Sequence, residues 1–552
     1  MKLIFLALSA LCIGALATKP PRWDPVYTVK GVLYIPYAEI EEPFEAWFDK
    51  NTNRSRIDYY GGTVKTYQLS RDGEFGTSLK VAPVTTDENP NVITCLQVNG
   101  TSENRVEPQS ILPDCRQFKL EATEDLLGWK CDKFVFEEAI GQKTNKYAMW
   151  VRYVKSPKYP ASRQPIPVRY EMRGYNTLLG SHYDHYRLDY DSYAHDDIPD
   201  EIFEVDESKP CIGFPGPGNG HYATFNPMKE FVHPVDSSHV DMEHMRFMKK
   251  HGVVYATTDE QMFRKNVFMQ NLRFIHSKNR ERLSFSLGVN HLADRTQDEL
   301  KALRGYKKTV VANNGGKPFP YTLDSETLED LPDEHDWRLY GAVTPVKDQS
   351  VCGSCWSFGT TGAIEGALFL NNGGNLIRVS QQALVDCSWG YGNNGCDGGE
   401  DFRAYKWMMN NGGIPTEESY GGYKGQDGFC HVNDKNVTLV AQITGWVNVT
   451  TGSPDALKVA LLKHGPISVA IDASHKTFSF YSHGVYFEPK CGNKEDELDH
   501  AVLVVGYGTM NGELYWLVKN SWSNLWANDG YILMAARENN CGVLTSPTYV
   551  TF

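Results

Sequence analysis

Short runs that alternate between apolar and polar residues fill the N-terminal part of the chain. Clear examples are VYTVKGVLYI from Val26, TVKTYQLS from Thr63, KYAMWVRYV from Lys146 and HYDHYRLDYDSY from His182. Alternation with a period of two is typical of half-buried strands, and the Asn, Gly and Pro residues between the runs favour turns. The pattern predicts a β-rich domain over residues 18–220. The Pro- and Gly-rich stretch CIGFPGPGNG closes this domain and predicts a linker, which we place over residues 221–241.

A helical spacing replaces the alternation after about residue 242. In the segment DEQMFRKNVFMQNLRFIHSKN, the apolar residues that fall on one helix face are Phe263, Val267, Phe268, Leu272 and Ile275. Glu260 and Arg264 stand one helical turn apart, so we expect an ion pair between them. The polar stretch 307–330 predicts an extended linker, and residues 331–552 form a last region.

Length and charge narrow the class of protein. A chain of 552 residues is long enough for several folded units. Its composition, 41% hydrophobic and 22% charged, is typical of a soluble globular protein. The net charge of −13, with no dominant basic stripe, argues against a nucleic-acid partner.

The N-terminus has the pattern of a secretory signal peptide. One lysine precedes an apolar run from Leu3 to Leu16, and Ala15 and Ala17 supply the small residues of a cleavage site. We therefore expect a signal peptide over residues 1–17 and entry into the secretory pathway, with a lysosome, a storage granule or the extracellular space as destination. An N-terminal membrane anchor is the alternative, and no other stretch of the sequence predicts a membrane span.

In the secretory pathway, sequons can be glycosylated and cysteines can form disulfide bridges. Four sequons predict N-glycosylation at Asn53, Asn99, Asn436 and Asn448. Of the 12 cysteines, Cys12 leaves with the signal peptide, so an odd number remains and one thiol requires an explanation. Four cysteines of the β-rich region can close two internal bridges of undetermined connectivity: Cys95, Cys115, Cys131 and Cys211.

The stretch DQSVCGSCWSFG, residues 348–359, holds two of the seven cysteines of the last region. A zinc site would need a second close Cys/His pair, which the sequence lacks, so we expect no metal and no cofactor. A redox pair between Cys352 and Cys355 would leave five cysteines, an odd number. If Cys355 is free, the other six can form three bridges. The parity therefore favours Cys355 as a nucleophile and a structural pairing for Cys352.

Three blocks of the last region, DQSVCGSCWSF, LDHAVLVVGYG and WLVKNSWSNLWANDGYILM, resemble those of papain-like cysteine proteases in the expected order. The resemblance covers residues 331–552 and implies an α+β fold of two lobes, one helical and one a β-barrel. It implies Cys355 as nucleophile and His500 as its base. Asn520 would orient the imidazole under the cover of Trp522, and Gln349 would donate to the oxyanion.

The same resemblance implies disulfide bridges and a substrate cleft. The implied bridges are Cys352–Cys396, Cys387–Cys430 and Cys491–Cys541. The segment GCDGGEDF resembles the substrate-binding strand, with Gly398 and Gly399. The implied pocket for the second residue upstream of the cut, P2, is lined by Ala470, Leu498, Ala501 and Ser546, with Glu400 and Asp401 at its wall. Small apolar walls favour Leu, Val or Phe. The two carboxylates either also admit Arg or point to solvent.

The helical segment resembles the propeptides of cathepsin L-type proteases. The positions that fit the E-R-F-N-I-N pattern are Glu260, Arg264, Phe268, Asn271, Ile275 and Asn279, and GVNHLAD follows. This implies an inhibitory propeptide over 242–306, a linker over 307–330 that crosses the cleft, and cleavage near Leu331. Ionised carboxylates such as Glu260 and Asp294 would make the packing sensitive to acid. The short CSWGYGNNGC loop and Trp356 favour an endopeptidase.

The β-rich region resembles LolA-like lipid-carrier half-barrels, and a generic glycosylated β domain is the alternative. The order of the regions is similar to that of insect proteases of this family that consist of two associated chains. We therefore expect protein and peptide substrates, the chain's own propeptide as inhibitor, and an N-terminal domain that is retained as a non-covalent second chain. The alternative function is that of a secreted ligand-binding protein with a vestigial protease domain.

Overall fold

The computed structural model describes residues 19–85, 91–155, 163–178, 180–205, 210–214, 221–308, 313–329 and 331–552. The signal peptide that we predict over residues 1–17 lies outside the described residues. The chain divides into two compact units, Met1–Val81 with Cys95–Met242, and Ala82–Thr94 with Glu243–Phe552. Among the described residues, no helix combines the length and the apolar character needed to cross a membrane.

A twelve-stranded sheet confirms the β-rich character of the N-terminal region. Its strands are β1 Val26–Ile35, β2 Ile40–Asp49, β3 Arg54–Tyr59, β4 Val64–Leu69, β5 Thr77–Val84, β6 Val92–Asn99, β7 Lys119–Leu126, β8 Trp129–Ile140, β9 Lys143–Lys155, β10 Arg163–Asn176, β11 Ser181–Ala194 and β12 Ile212–Gly213. Their spatial order is β12-β6-β5-β4-β3-β2-β1-β11-β10-β9-β8-β7. β6 lies near one end of this order and β7 at the other end, so the chain between them must cross the sheet.

Buried tyrosines line one face of this sheet, and chain segments outside the sheet cover it. The Ile111 N–H donates to the Tyr27 hydroxyl at 3.2 Å, and the Tyr190 hydroxyl donates to the Ile111 carbonyl at 3.0 Å. The segment around Ile111 thus forms one cover. Elsewhere on this face, the Phe231 ring meets the Tyr186 ring edge-on at 5.2 Å. Phe231 belongs to residues 221–236, named the strap from here on, which form the second cover. The sheet thus packs its aromatic face against the chain's own residues.

The prediction of a linker over 221–241 is wrong. This stretch contains a short helix, α1 Tyr222–Phe225, a 3-10 turn, Pro227–Glu230, and the start of α2 at Ser238. Its apolar side chains are almost fully buried: Phe225, Met228, Phe231 and Val232. The first unit consequently extends to Met242, because apolar burial rather than the nearby Pro and Gly decides where the domain ends.

One of the two bridges that we predict in this region is present. Cys95 and Cys211 are bonded, whereas Cys115 and Cys131 are free and buried, so the prediction of two internal bridges is half wrong. Parity allowed both bridges, but pairing also requires the two sulfur atoms to meet in the fold.

The second unit begins within a set of helices and ends in a large sheet. The helices are α2 Ser238–His251, α3 Thr258–Lys278, α4 Gln297–Ala302, α5 Ser325–Glu329, α6 Cys355–Asn371, α7 Gln381–Cys387, α8 Asp401–Asn411, α9 Glu417–Tyr420, α10 Pro454–His464 and α11 Lys476–Ser479. The strands are β13 Phe285–Leu287, β14 Lys317–Pro318, β15 His335–Asp336, β16 Ile414–Pro415, β17 Leu439–Val440, β18 Gly445–Asn448, β19 Ile467–Ile471, β20 Tyr481–Tyr486, β21 His500–Met510, β22 Glu513–Lys519, β23 Tyr531–Ala535 and β24 Thr548–Thr551.

Residues from Leu331 onward form two lobes, as the resemblance implies. One lobe packs α6, α7 and α8 around a core that includes Trp356, Leu384 and Tyr405. The other packs β19 to β24 around a core that includes Trp516 and Ile532. The fold is therefore α+β, with a helical lobe and a β-barrel lobe.

The residues of the E-R-F-N-I-N pattern hold α3 against the chain that follows it, up to α4. Arg264 makes two hydrogen bonds to the Glu299 carboxylate, at 2.7 and 2.8 Å. Asn271 donates to the Ala293 carbonyl at 2.9 Å. Phe268 and Ile275 are buried. The pattern thus marks the contacts that hold α3 against the chain that follows it.

Two expectations for α3 are wrong. Arg264 pairs with Glu299 rather than with Glu260, because Glu260 turns back to accept the Ala256 N–H at 2.9 Å at the helix start. Phe263, which the spacing placed on the buried face, is 43% exposed. Only the second half of α3 lies against the core, so the face pattern is not fulfilled in its first half.

Candidate active site

Cys355 is the first residue of α6 and lies at the junction of the two lobes. Its Sγ accepts hydrogen bonds from the Gly305 N–H at 3.2 Å and from the Ala501 N–H at 3.4 Å. Small residues let α6 approach the sheet, since a Cβ on Gly362 would stand 2.5 Å from the Leu503 side chain. The position at a helix N-terminus favours a negative sulfur.

His500 opens β21 and is fixed by an amide and an indole. Its Nε2 lies 2.8 Å from Asn520 Oδ1, and the Trp522 ring stands 4.8 Å from the imidazole, centre to centre. Since Oδ1 also accepts the Ser521 N–H, it is the acceptor and Nε2 carries the proton. His500 Nδ1 has no hydrogen-bond partner in the part of the chain that the structure describes. The neutral ring can therefore take up a proton at Nδ1.

Gln349 is held so that its amide nitrogen points into the cleft. Its Oε1 accepts the Ser521 hydroxyl at 2.6 Å, which leaves Nε2 as the donor. Nε2 donates to the Cys352 carbonyl at 2.7 Å and to the Leu303 carbonyl at 2.9 Å. A propeptide carbonyl therefore occupies the donor that the resemblance assigns to an oxyanion.

The propeptide crosses the cleft as an added strand. The Gly399 N–H donates to the Gly305 carbonyl at 2.9 Å, and the Lys307 N–H donates to the Gly399 carbonyl at 3.2 Å. Between them, the Tyr306 N–H donates to the Asp499 carbonyl at 3.0 Å. These are the backbone contacts by which a cleft binds an extended peptide. Gly398 lies beside them, with the Gly305 carbonyl 2.6 Å from the position of its would-be Cβ.

Coverage by the propeptide changes the proton affinities of the two central groups. Burial raises the pKa of the Cys355 thiol to about 11, against the hydrogen bonds that lower it. The pKa of His500 is lowered to about 4, chiefly by burial; the Asn520 hydrogen bond opposes this shift and the Arg304 guanidinium adds to it. Arg304 lies in the propeptide, where its Nε is 3.1 Å from Asp499 Oδ2. The covered cleft thus favours a neutral thiol and a neutral imidazole.

A cavity of about 320 Å³ extends from Gly399 along the cleft. Its lining residues are Tyr306, Lys308, Asn313, Asn314, Glu400, Asp401, Phe402, Asn448, Val449, Thr451, Glu495, Thr545, Ser546, Pro547 and Thr548. Of the six pocket residues that we predict, three are in this lining: Glu400, Asp401 and Ser546. The other three, Ala470, Leu498 and Ala501, are buried outside the lining.

Under the propeptide, Glu400 and Asp401 do not point to solvent, and their role at the pocket wall stays a prediction. Glu400 and Asp401 are 3% and 9% exposed. Glu400 pairs with Arg403 at 3.0 Å, and Asp401 accepts the Thr548 hydroxyl at 2.6 Å. Burial raises the pKa of Asp401.

Sequence reasoning missed Glu495, which lines the cavity and forms an ion pair with Lys308 of the propeptide. It lies far along the chain from Glu400, in the 3-10 turn Glu495–Glu497, outside every recognisable motif. It also missed Leu303, Arg304 and Gly305, which touch Gln349, Asp499 and Cys355. For these propeptide residues, their place just before the linker that we expect to cross the cleft was the available signal.

Bridges hold the loops around the cleft. Cys352–Cys396, Cys387–Cys430 and Cys491–Cys541 are all formed, and Cys355 is free. The sequons differ in exposure: Asn53, Asn99 and Asn436 are exposed, whereas Asn448 is half-buried. Their glycosylation stays a prediction.

A thiol at a helix N-terminus, an imidazole held by an amide, and a propeptide laid across both are the arrangement of an autoinhibited cysteine protease. Comparison with known proteins agrees. Residues 331–551 match the papain family cysteine protease model, and residues 244–300 match the cathepsin propeptide inhibitor domain (I29). The chain belongs to the papain family of cysteine proteases and is a zymogen of the cathepsin L type.

Relatives and solved structures cover the same part of the chain. Digestive cysteine proteinase 1 of Homarus americanus is 45% identical over 312 residues, 55% of this chain and 93% of the relative. Cathepsin L of Sarcophaga peregrina is 43% identical over 335 residues, 59% of this chain and 96% of the relative. The solved digestive procathepsin L2 proteinase of Tenebrio molitor larval midgut is similar with a TM-score of 0.52 and 36% identity, over 57% of this chain and all of that chain.

Proposed function

We propose that the protein is a cysteine endopeptidase in which Cys355 is the nucleophile and His500 its base. The observation that carries this proposal is the geometry at the start of α6. The Sγ of Cys355 lies at the helix N-terminus, and Asn520 holds the imidazole in the tautomer with a free Nδ1. Removal of the propeptide exposes both groups to water, which removes the burial that favours their neutral forms.

The reaction is acyl transfer. The Cys355 thiolate attacks the substrate carbonyl carbon, and the negative oxygen that forms is stabilised by Gln349 Nε2 and the Cys355 N–H. The C–N bond breaks as protonated His500 gives its proton to the leaving amine, which leaves a thioester on Cys355. His500 then takes a proton from water, whose oxygen attacks the thioester carbon. The C–S bond breaks, the carboxylic acid leaves, and the Cys355 thiolate is restored beside protonated His500.

Covalent capture tests this function. After removal of the propeptide, the protein should hydrolyse a fluorogenic peptide, and a thiol-directed peptide epoxide should block that activity with one label on Cys355. The alternative is a secreted ligand-binding protein with a vestigial protease domain. It predicts neither hydrolysis nor labelling, and mass spectrometry of the labelled peptide decides between the two.

We propose that the cavity beyond Gly399 determines which residue is accepted at P2. The mature enzyme should accept Leu, Val or Phe through apolar contact. It should also accept Arg, because removal of the propeptide takes Lys308 away from the acidic lining that Glu400, Asp401 and Glu495 provide. A fluorogenic library that varies P2 measures this, and equal rejection of Arg and Asp would contradict it.

A matched pair of variants assigns the Arg preference to the cavity. Glu495→Gln should lower kcat/KM for P2-Arg substrates by about 2- to 5-fold, the usual size of a partly exposed ion pair, and leave P2-Leu substrates unchanged. Glu418→Gln is the control, since Glu418 is exposed and lies outside the cavity lining.

Acid should open the zymogen in two steps. His500 has a lower pKa in the covered cleft than in the open one, so protonation favours the open cleft. The covered cleft keeps its full stability above pH 6.5 and loses this contribution as pH falls from 6.5 to about 4. Arg264 lowers the pKa of Glu299 to about 2. This pair contributes about 2–3 kcal/mol above pH 4.5, which is lost as pH falls toward 2. Glu299 is thus a carboxylate to which we assign the acid sensitivity that we predict.

Hydrogen exchange of α3 and α4 in an inactive Cys355→Ser zymogen measures the opening without self-cleavage. The exchange rate of these amides, relative to that of an unfolded chain at the same pH, should rise between pH 6.5 and 4, and again below pH 4.5. In Glu299→Gln the lower step should disappear. A flat profile from pH 7 to 4 would contradict the role of His500.

We further propose that the protein acts in the secretory pathway, in a lysosome, a storage granule or the extracellular space. The first unit would remain as a non-covalent second chain if the chain is cut within GFPGPGNG. No disulfide of the described residues joins the cysteines of the first unit to those of the protease region, which supports this proposal.

A further inference from the structure

The strap is bound to the rest of the first unit by apolar side chains and by backbone contacts. Phe225, Met228, Phe231 and Val232 are each less than 5% exposed. The Gln68 amide donates to the Phe225 carbonyl at 2.8 Å. The Asp114 N–H donates to the His233 carbonyl at 3.0 Å. The four apolar side chains, at positions i, i+3, i+6 and i+7, thus lie on one face of a bent segment and pack it against the sheet.

Aromatic rings of the first unit pack against the strap at Phe225 and at His233. The His233 ring lies 5.3 Å from the Tyr147 ring and 5.1 Å from the Phe136 ring. The Phe225 ring meets the Phe214 ring at 5.4 Å. Next to Phe225, the Asn226 amide donates to Gln109 Oε1 at 3.0 Å. The contacts run along the strap from Phe225 to His233.

The chain just before the GFPGPGNG stretch is anchored to the same unit. Cys211 is bonded to Cys95, and Ile212–Gly213 pairs in parallel with Leu96 and Gln97. The Phe214 N–H donates to the Gln97 carbonyl at 2.8 Å. A cut within residues 215–220 therefore has an anchored segment on both sides.

We infer that the strap is the interface that holds the twelve-stranded sheet of the first unit to the rest of the chain once the chain is cut at residues 215–220. The strap belongs to the fragment that continues through α2 into the inhibitory propeptide. The sheet is therefore a binding surface for an apolar segment with the spacing of Phe225, Met228 and Phe231. This inference deepens the proposed second chain, but it does not depend on protease activity.

The test uses the full chain with Cys355→Ser, which removes self-cleavage under the proposed mechanism. A recognition sequence for a site-specific protease replaces residues 215–220, and a second one lies between the strap and α2. After both cuts, size-exclusion chromatography under non-reducing conditions separates bound from free peptide. Mass spectrometry should find the strap peptide in the peak of the first unit. Recovery of the strap peptide in the free-peptide fraction would overturn the inference.

Matched variants assign the binding to the apolar face. With both cuts made, Met228→Ala together with Phe231→Ala should weaken retention of the strap peptide by about 100-fold or more, since each truncation removes a buried side chain. Thr224→Ala is the control, because Thr224 lies in the strap peptide and is only partly buried. Undiminished retention in the double variant would overturn the inference. If the double variant does not fold, the doubly cut parent chain alone decides.

Discussion

Replacing Cys355 with serine should abolish peptide hydrolysis while the fold stays intact. The oxygen of serine is far less acidic than a thiol, so the base at His500 would have no nucleophile to activate. Loss of one member of such a pair lowers kcat by about 10⁴-fold or more. The side chain is nearly isosteric, so the melting temperature should stay close to that of the parent chain. Cleavage by an added protease would remove the propeptide before kcat/KM is measured.

Two controls separate chemistry from folding in this experiment. Cys131→Ser replaces another free and buried thiol and should retain full activity. Cys352→Ser removes the bridge to Cys396 and should lower the free energy of unfolding by about 2–4 kcal/mol. Hydrolysis by Cys355→Ser at the parent rate would contradict the proposed mechanism.

Replacing Gly305 with alanine should produce a zymogen that is active without cleavage. A Cβ at Gly305 would stand 1.7 Å from the Gly353 carbonyl oxygen and 2.3 Å from its carbon, and both are backbone atoms next to Cys355. The propeptide must lift away, with loss of the Gly305 N–H bond to the sulfur. Overpacking of this kind costs about 1–3 kcal/mol, so activity of the uncut zymogen should rise by about 10- to 100-fold.

Hydrolysis of a fluorogenic peptide at neutral pH, with gel analysis of the same samples, measures this effect on chains that are still uncut. Gly422→Ala is the control, since a Cβ there has no neighbour within 4 Å. A Gly305→Ala zymogen as silent as the parent chain would show that the close contact does not hold the propeptide in place.

The proposed catalytic residues could be predicted because each lies within a short contiguous motif. Gln349 and Cys355 share one stretch of sequence, and the chemistry of a thiolate requires a base nearby. The partner of Arg264 could not be predicted in the same way. The local spacing offered Glu260, whereas the fold brings Glu299 closer from the next helix.

The first unit shows the same limit on a larger scale. Its strands are visible in the alternation, but the pairing of β1 with β11 depends on contacts between distant residues. The strap was hidden for a different reason. Four apolar residues in a Pro- and Gly-rich neighbourhood have no strong helical or strand period, and only the tyrosine face that they cover explains their burial.

The paired amides of Asn448 and Asn314 link carbohydrate attachment to autoinhibition. Each Nδ2 donates to the other Oδ1, at 2.9 and 3.0 Å, and a Cβ on Gly316 would stand 2.6 Å from the Asn448 amide. The atom to which a sugar would be attached, Asn448 Nδ2, makes this contact with the linker. If this sequon is glycosylated, we expect the sugar to weaken docking of the linker over residues 313–318. Because sugars are added before the chain folds, occupancy at Asn448 would divide newly made molecules into latent and open populations.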